Sequence, residues 1–258
     1  MKKSKIYLKG FLITNIMWLL SVVIFSKTQI PNSIAVYVSF KMFFRENMIL
    51  DIFITLYRII AGITIALVLG SITGYFMAAS KKINMLLDPL VVLFYPIPKA
   101  VLLPVVYILF GTHESSIILI IALIGLFQII LSARDTVINI GSESIDYLLS
   151  LGASKKQLFR DIIIPEIVSG IVGNIKNKIR TSFSVLFFCE TFGASKGLGC
   201  YVTSAWYQKD FISMFKGILV VCILSIFLYY LAELAEERFV KPGRIISTKT
   251  VHIFNSFG

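Results

Sequence analysis

Five charged side chains fall inside the apolar runs of this sequence: Arg58, Lys176, Lys178, Arg180 and Glu190. A charge at the centre of a bilayer costs ~2.5–3.5 kcal/mol on the insertion scale, so each is a candidate for function. Lys176 and Arg180 are four residues apart and share one helix face, whereas Lys178 points away, so at most one pair can address a central pathway at that level. A deep cation there would attract an anion. The competing reading has Lys176 and Lys178 snorkelling to the interface and Arg180 pairing with a carboxylate such as Glu190 of a second copy. Glu190 closes its run and is expected either to hold the following loop through backbone hydrogen bonds or to meet a solute. Arg58 is expected to pair with carbonyls or an acid. Covalent catalysis has no foothold: the chain carries no paired carboxylates, no H-E-x-x-H, no serine-histidine constellation and no G-x-x-x-x-G-K-[ST] phosphate cradle. Cys189, Cys200 and Cys222 have neither metal-ligand spacing nor an even disulfide framework, and His113 with Glu114 reads as a solvated turn, not a metal site.

The elements that must hold these residues follow from composition. The chain has 258 residues, 57% hydrophobic and 15% charged, against roughly 45–50% and about 25% for soluble domains. That is a membrane protein's balance, and it leaves no room for a sizeable soluble domain. Apolar runs fall at about 10–26, 49–79, 86–110, 117–134, 162–190 and 213–235. With no regular alternation to suggest a barrel, they predict an all-α polytopic transmembrane bundle of six spans. The first run, preceded by lysines and followed by no small-residue cleavage site, reads as an uncleaved anchor. In that topology fourteen lysines and arginines lie on the side of both termini and the 135–161 loop, and five (Lys27, Lys41, Arg45, Lys196 and Lys209) on the other. The bias places both termini in the cytoplasm. It also makes orientation, and not nucleic acid, the reason for the net charge of +11.

The 135–161 loop does not read as a passive linker. Ile145, Leu148 and Leu149 share a helix face. Gly152 suits the left-handed residue that ends a helix. Ser154 and Gln157 make the S-x-x-Q capping box of a second helix, with Leu158, Phe159 and Ile162 as its apolar stripe. Such side chains need cover, from the protein's own membrane base or from a partner's groove. The 86–110 run carries Pro89, Pro96, Pro98 and Pro104, each without a donor and each disfavouring regular helix before it, so this run must bend. Broken backbone in lipid is tolerated against protein or a water-filled cavity, which makes the run a candidate to line a pathway, with a kinked packing helix as the alternative. Gly62, Gly70 and Gly74 repeat on one face and predict close helix packing.

From Asp146 through Gly152 to Ile162 and Pro165 the spacing resembles the EAA loop of inner-membrane permease subunits of ABC importers. Asp146 stands where that motif has a glutamate, Tyr147 and Leu148 replace alanines, and Ile164 replaces the leucine before Pro165. Leu87-Asp88-Pro89, then Pro96-Ile97-Pro98, Ala100, Pro104 and Phe110-Gly111, is similar to the third span of the nitrate, sulfonate and taurine branch, although Lys99 and Leu109 stand where proline and tryptophan are expected. Glu190 followed by Gly193-Ala194-Ser195 and Gly197-Leu198-Gly199 is similar to that branch's segment after the fifth span.

The resemblance implies a non-catalytic permease in the bacterial inner membrane. It would work as a homodimer with two copies of a cytoplasmic ABC ATPase, which binds ATP and Mg while this chain binds no cofactor, and with an external solute-binding protein. Transport would be by alternating access, and the solute small, organic and anionic. Asp146, Leu148, Leu149, Gly152, Ala153, Leu158, Ile162 and Pro165 are then expected to couple to the ATPase, and Pro96, Pro98, Lys176, Arg180 and Glu190 to lie on the translocation pathway. The alternative is a secondary transporter or channel driven by an ion gradient, a reading that wants an intramembrane relay and inverted repeats.

Overall fold

The computed structural model describes residues 2–25, 30–42, 48–140, 147, 149–173 and 175–254, and every regular element among them is helical. In chain order these are α1 (Lys2–Ile24), α2 (Ser33–Ser39), α3 (Met48–Ala79), α4 (Lys81–Phe94), α5 (Leu103–Phe110), α6 (Glu114–Asn139), α7 (Lys155–Leu158), α8 (Ile164–Val172), α9 (Ile175–Thr191), α10 (Leu198–Tyr207) and α11 (Phe211–Phe254). Short tight turns of helix cover Phe40–Met42 and Lys99–Leu102, and a wider π turn covers Phe159–Ile163. The chain divides into two compact units, Met1–Leu56 with Glu190–Leu224, and Tyr57–Cys189 with Ser225–Gly258.

The second unit is organised by α3 and α6. A Cβ added at Gly62 would lie 2.6 Å from Ile121, at Gly70 2.7 Å from Ile129, and at Gly74 2.5 Å from the Ile130 carbonyl. In the same register, a Cβ at Gly125 would lie 2.9 Å from Ala66. Small residues at every fourth position of α3 (Gly62, Ala66, Gly70 and Gly74) therefore let α6 approach closely, with Gly125 and Ala133 as its own small positions. The paired numbers rise together, so α3 and α6 run in the same direction. The residues between Ala79 and Glu114 must then carry the chain back along the pair. They do so as a broken crossing: Lys81–Phe94 and Lys99–Phe110 are bent by 90° relative to each other.

The prolines account for the break. Ser80, in extended conformation, ends α3 and caps α4. Pro89 is tolerated inside α4, and Pro104 sits in the first turn of α5, where no backbone donor is missed. Between them Pro98 cannot donate to the Phe94 carbonyl. The side chain of Lys99 takes over: its Nζ donates to Phe94 O at 2.5 Å and Tyr95 O at 2.8 Å and lies 5.2 Å from the centre of the Phe127 ring. Asp88, beside Pro89, receives Arg134 of α6 and ties the middle of α4 to that helix.

Of the six expected runs, Met48–Ala79, Glu114–Asn139 and Phe211–Arg238 are continuous helices long and apolar enough to cross a membrane. Counted as one broken span, the bent pair makes a fourth by length and composition. The 10–26 run coincides with the apolar part of α1, Lys9–Ile24. The 162–190 run holds the end of the π turn, α8 and α9; Gly173 keeps helical dihedrals and donates to Ser169 O at 3.0 Å, and residue 174 lies outside the described residues.

Around the seam, Ala66, Ile129, Ala133, Leu158, Ile163, Ile167 and Ile171 form one buried cluster shared by α3, α6, α7 and α8. In the first unit, Trp18 of α1 stacks on Phe215 of α11 at 5.3 Å and donates to Pro31 O at 3.1 Å. Asn32 caps α2 through Ile34 N–H.

Replacing Gly70 by Val forces a branched side chain against Ile129 and is expected to cost about 1–3 kcal/mol. The loss should be read as a lower melting temperature of the purified protein. Gly10→Ala, at a site where a Cβ meets nothing within 4 Å, is expected to leave the melting temperature unchanged. Equal melting temperatures for the two variants would overturn the close approach of α3 and α6.

Candidate functional site

Where it is described, the 135–161 loop has the glycine break and the second helix that its pattern calls for. Gly152 has φ +87°, and its N–H donates to Leu149 O at 3.0 Å. Ser154 Oγ accepts from Gln157 N–H at 3.2 Å while Ser154 N–H donates to Gln157 Oε1 at 2.9 Å, which closes the capping box and starts α7. One side of this segment is keyed into the membrane base: Leu158 and Ile163 enter the buried cluster, with Ile162 packed against it, and the Phe159 ring meets Tyr75 of α3 edge-on at 5.0 Å. Pro165 occupies the first turn of α8.

The other side is open. Tyr147 and Leu151 are 54% and 66% exposed, with Leu149 beside them, and Leu151, Gly152, Ala153, Gln157 and Asp161 line a hollow of about 390 Å³. Arg160 donates to both oxygens of Asp161, at 2.7 and 3.3 Å, and holds that carboxyl below the usual carboxylate range, so the rim of the hollow carries a paired carboxylate and guanidinium. Asp146 and Leu148 lie outside the described residues. The surface is an apolar ledge with a glycine hinge, backed by a rigid core.

A second constellation surrounds Glu190. Its carboxylate, 1% exposed, accepts from Thr55 Oγ1 at 2.8 and 3.0 Å and from Gly199 N–H at 2.9 Å. Thr55 Oγ1 in turn accepts from Leu198 N–H at 3.0 Å, and Asp51 Oδ1 accepts from Gly197 N–H at 2.7 Å. Gly193 and Gly197, at φ +106° and +116°, turn the backbone so that three consecutive amides at the start of α10 face these acceptors. The first turns of α10 are thereby clamped to α3 and the end of α9. Such N-terminal amides, with the helix dipole behind them, favour an anionic partner, here supplied by the protein.

The remaining charges are distributed differently from one another. Arg58, 1% exposed, donates from Nε to Glu114 Oε2 at 2.6 Å and from Nη2 to Glu114 Oε1 at 2.7 Å, a bidentate pair that ties α3 to the start of α6. Glu114, expected in a solvated turn, thus serves as the acid for Arg58. Lys176 pairs with Glu236 of α11 at 2.6 Å and lies 5.8 Å from the centre of the Tyr229 ring. Arg180 is exposed, and Pro96 and Pro98 are exposed in the bend on either side of Ile97. Lys178 is buried and, with Tyr95 of the bend, lines a cavity between α6, α8 and α9.

The model of the binding-protein-dependent transport system inner membrane component family matches residues 66–241. The chain belongs to that family. This permease is 31% identical over 188 residues to the taurine transport system permease of Escherichia coli K12, covering 73% of this chain and 68% of that one. It is 24% identical over 199 residues to the nitrate import permease of Synechococcus elongatus, with 77% and 70% covered. It is 24% identical over 190 residues to the formylaminopyrimidine transport permease of Halalkalibacterium halodurans, with 74% and 76% covered. A chain of the MetNI methionine ABC transporter, solved in inward-facing conformations, shares the fold: TM-score 0.56 at 19% identity, over 76% of this chain and 98% of that one. The permease is therefore a multi-pass protein of the bacterial inner membrane. Its lipid-level faces agree, with Ile108, Leu109, Ile223 and Ile226 all turned outward.

The family match starts within the glycine seam and includes the ledge, the cavity and the Glu190 to Gly199 side of the clamp, while Asp51 and Thr55 precede it. Two parts of the permease's polar architecture were not anticipated from sequence. The clamp partners Asp51 and Thr55 had a usable signal, since with Arg58 they stand at steps of four and three on one face of an apolar helix, a polar stripe that demands partners. Lys99 had a weaker one: a lysine just after the second of two closely spaced prolines is near carbonyls that have lost their donors.

Glu190→Ala removes the acceptor for Gly199 and leaves the Thr55 hydroxyl without that partner in a buried site, at about 1–3 kcal/mol for each group stranded. Amide hydrogen exchange at Leu198 and Gly199 is expected to accelerate in this variant while exchange along α6 stays unchanged. Unaltered protection at both amides would refute the clamp.

Proposed function

We propose that this permease is the membrane-spanning part of an ATP-driven importer, made of six spans with both termini in the cytoplasm. Two copies assemble with two copies of a cytoplasmic ATPase, and an external binding protein delivers the solute. The distribution of loop cations, fourteen against five, supports this orientation, and α1, α8 and α9 supply the two crossings beyond the three continuous helices and the bent pair. ATP and Mg act on the partner. This chain contributes a surface that senses the partner's closure and a pathway that changes access in response.

The observation that carries the proposal is the ledge around Gly152. Exposed Tyr147, Leu149 and Leu151 offer apolar contact to a groove on a partner, and the capping box makes α7 stiff from its first residue. Leu158 and Phe159 then join that helix to α3 and α6 without an intervening linker. Coupling requires a lever whose position both partners bias, because a ligand shifts an equilibrium only through unequal affinity for its states. A docked ATPase would grip the ledge, and the buried side of the same segment would carry the displacement into the seam helices. The expected coupling residues are Leu149, Gly152, Ala153, Leu158, Ile162 and Pro165, with Asp146 and Leu148 completing the motif.

The solute belongs to a class of small organic or inorganic anions. Taurine and nitrate, which the names of two relatives carry, both present negatively charged oxygens, and the sequence places uncommon cations within its spans. The solute's identity is set largely by the external binding protein.

Gly152→Val provides the test. A side chain here meets no neighbour, so the substitution costs only the left-handed strain, about 1–2 kcal/mol, applied at the hinge. In proteoliposomes containing the permease, its ATPase and its binding protein, ATP-driven uptake is expected to fall by roughly 5- to 30-fold, with the amount of permease in the membrane unchanged. Gly152→Asn, whose side chain tolerates the left-handed region, is expected to lose less. Wild-type uptake in the valine variant would remove the ledge from the coupling path.

A further inference from the structure

Lys178 stands apart from the other buried bases of its unit. Arg58 is held by Glu114 and Lys99 by two carbonyls. Lys178 is 5% exposed, and among the described residues no group hydrogen-bonds its Nζ. It lines a cavity of about 630 Å³ together with Tyr95, Gln128, Asp135, Thr136 and Asn139. That volume lies within the roughly 300–1,000 Å³ typical of small-ligand sites.

The wall is chemically one-sided. Its carboxylate, on Asp135, is exposed and accepts from Arg134 Nε at 3.1 Å, a guanidinium it shares with Asp88, and makes no hydrogen bond to Lys178. The Thr136 hydroxyl donates to Ser132 O at 2.7 Å. Free to act are the amides of Gln128 and Asn139, the Tyr95 hydroxyl and the Lys178 ammonium. These groups offer donors and a positive charge, the complement of a small oxyanion. A buried ammonium with three donors and no partner is among the costliest groups a protein keeps, and a ligand anion relieves it.

We propose that Lys178 is the anion-binding group of the translocation cavity, receiving the sulfonate, carboxylate or nitrate head of the solute while the Gln128 and Asn139 amides complete its coordination. This deepens the importer reading and rests on it. Charge in the pathway then comes from Lys178, on the face of α9 opposite that of Lys176 and Arg180. Tyr95 belongs to the wall, so the proline bend places one side of the site, and Gly170 of α8 places another.

Two measurements on the complete transporter test this. The first is thermal unfolding of the permease–ATPase complex without binding protein, in phosphatidylcholine discs, with sodium ethanesulfonate, nitrate or inorganic phosphate added. Wild type is expected to be stabilised by at least one of these anions. Lys178→Met is expected to unfold at a higher temperature than wild type in their absence, because an unpartnered buried charge has gone, and to lose the response. A lysine that only supports the fold would give the reverse, a less stable variant. The second is uptake: kcat/KM is expected to fall roughly 10- to 100-fold in Lys178→Met and Lys178→Gln, the worth of a charge-assisted hydrogen bond, and to be partly restored in Lys178→Arg, with ATPase activity retained. Discs containing phosphatidylglycerol separate a lipid headgroup from a free anion: stabilisation by that lipid through Lys178, with no response to free anions, would overturn the solute site. Full uptake and an intact anion response in Lys178→Met would overturn it as well. A wild-type complex that responds to anions through Lys178 but shows no ATP-driven uptake would instead sink the importer reading and leave the cavity site standing.

Discussion

The second unit depends on the contact of two backbones. Gly62, Ala66, Gly70 and Gly74 on α3 meet Ile121, Gly125, Ile129 and Ala133 on α6 at a spacing that admits no further side chain. In a hydrocarbon solvent this closeness is the available source of helix association, since apolar surface gains nothing by leaving lipid. The seam also sets everything attached to its two ends. At one end it brings Arg58 within bidentate reach of Glu114. At the other it sets Tyr75 to receive Phe159 and aligns Ala66, Ile129 and Ala133 as the floor on which Leu158, Ile163, Ile167 and Ile171 pack.

Within its two units the permease meets one recurring problem, irregular backbone in apolar segments, by two local devices. In the proline bend a lysine side chain supplies the donors that Pro98 cannot. At the start of α10 two carboxylates and a threonine collect three amides that have no helical partner. Each follows from the rule that a buried donor or acceptor needs a partner, and each puts a polar or charged residue where hydropathy alone would forbid one. The buried bases of the second unit are thus mostly structural, which is what makes Lys178, unanswered among the described residues, conspicuous.

Local chemistry was legible in the sequence and pairing across distance was not. Gly152, the Ser154–Gln157 box and the proline bend depend on a few consecutive residues whose backbone preferences are intrinsic, and the structure follows them. The seam was legible because its period survives in one helix, although the partner helix and the parallel register needed coordinates. For Lys176, Lys178 and Arg180, helical geometry correctly put Lys178 on the face opposite the other two, but which face meets the cavity depends on where α8 and Tyr95 stand, and no spacing rule contains that. Glu114 is exposed, as its place in a solvated turn implied, but its pairing was not legible because its guanidinium partner lies 56 positions earlier in the chain.

The ledge and the cavity share a wall. Helix α8 begins at the end of the π turn that follows the ledge, inserts Ile167 and Ile171 into the seam cluster, and presents Gly170 to the cavity, where Ser132 Oγ reaches its carbonyl at 3.5 Å. A nine-residue helix has little freedom to bend internally, so a displacement of the ledge that moves α8 along α6 changes the cavity wall by a similar amount. The weakest link on this route is the π turn at Phe159–Ile163, where the regular bonding of α7 is interrupted, and such turns recur where helices must give. The contact of α8 with α6 is itself close, since a Cβ added at Gly170 would lie nearer to Thr136 Oγ1 than one added at Gly62 or Gly70 would lie to Ile121 or Ile129. Movement of the ledge is therefore resisted along α8 as it is along the glycine seam, which leaves the π turn as the place where this segment can give.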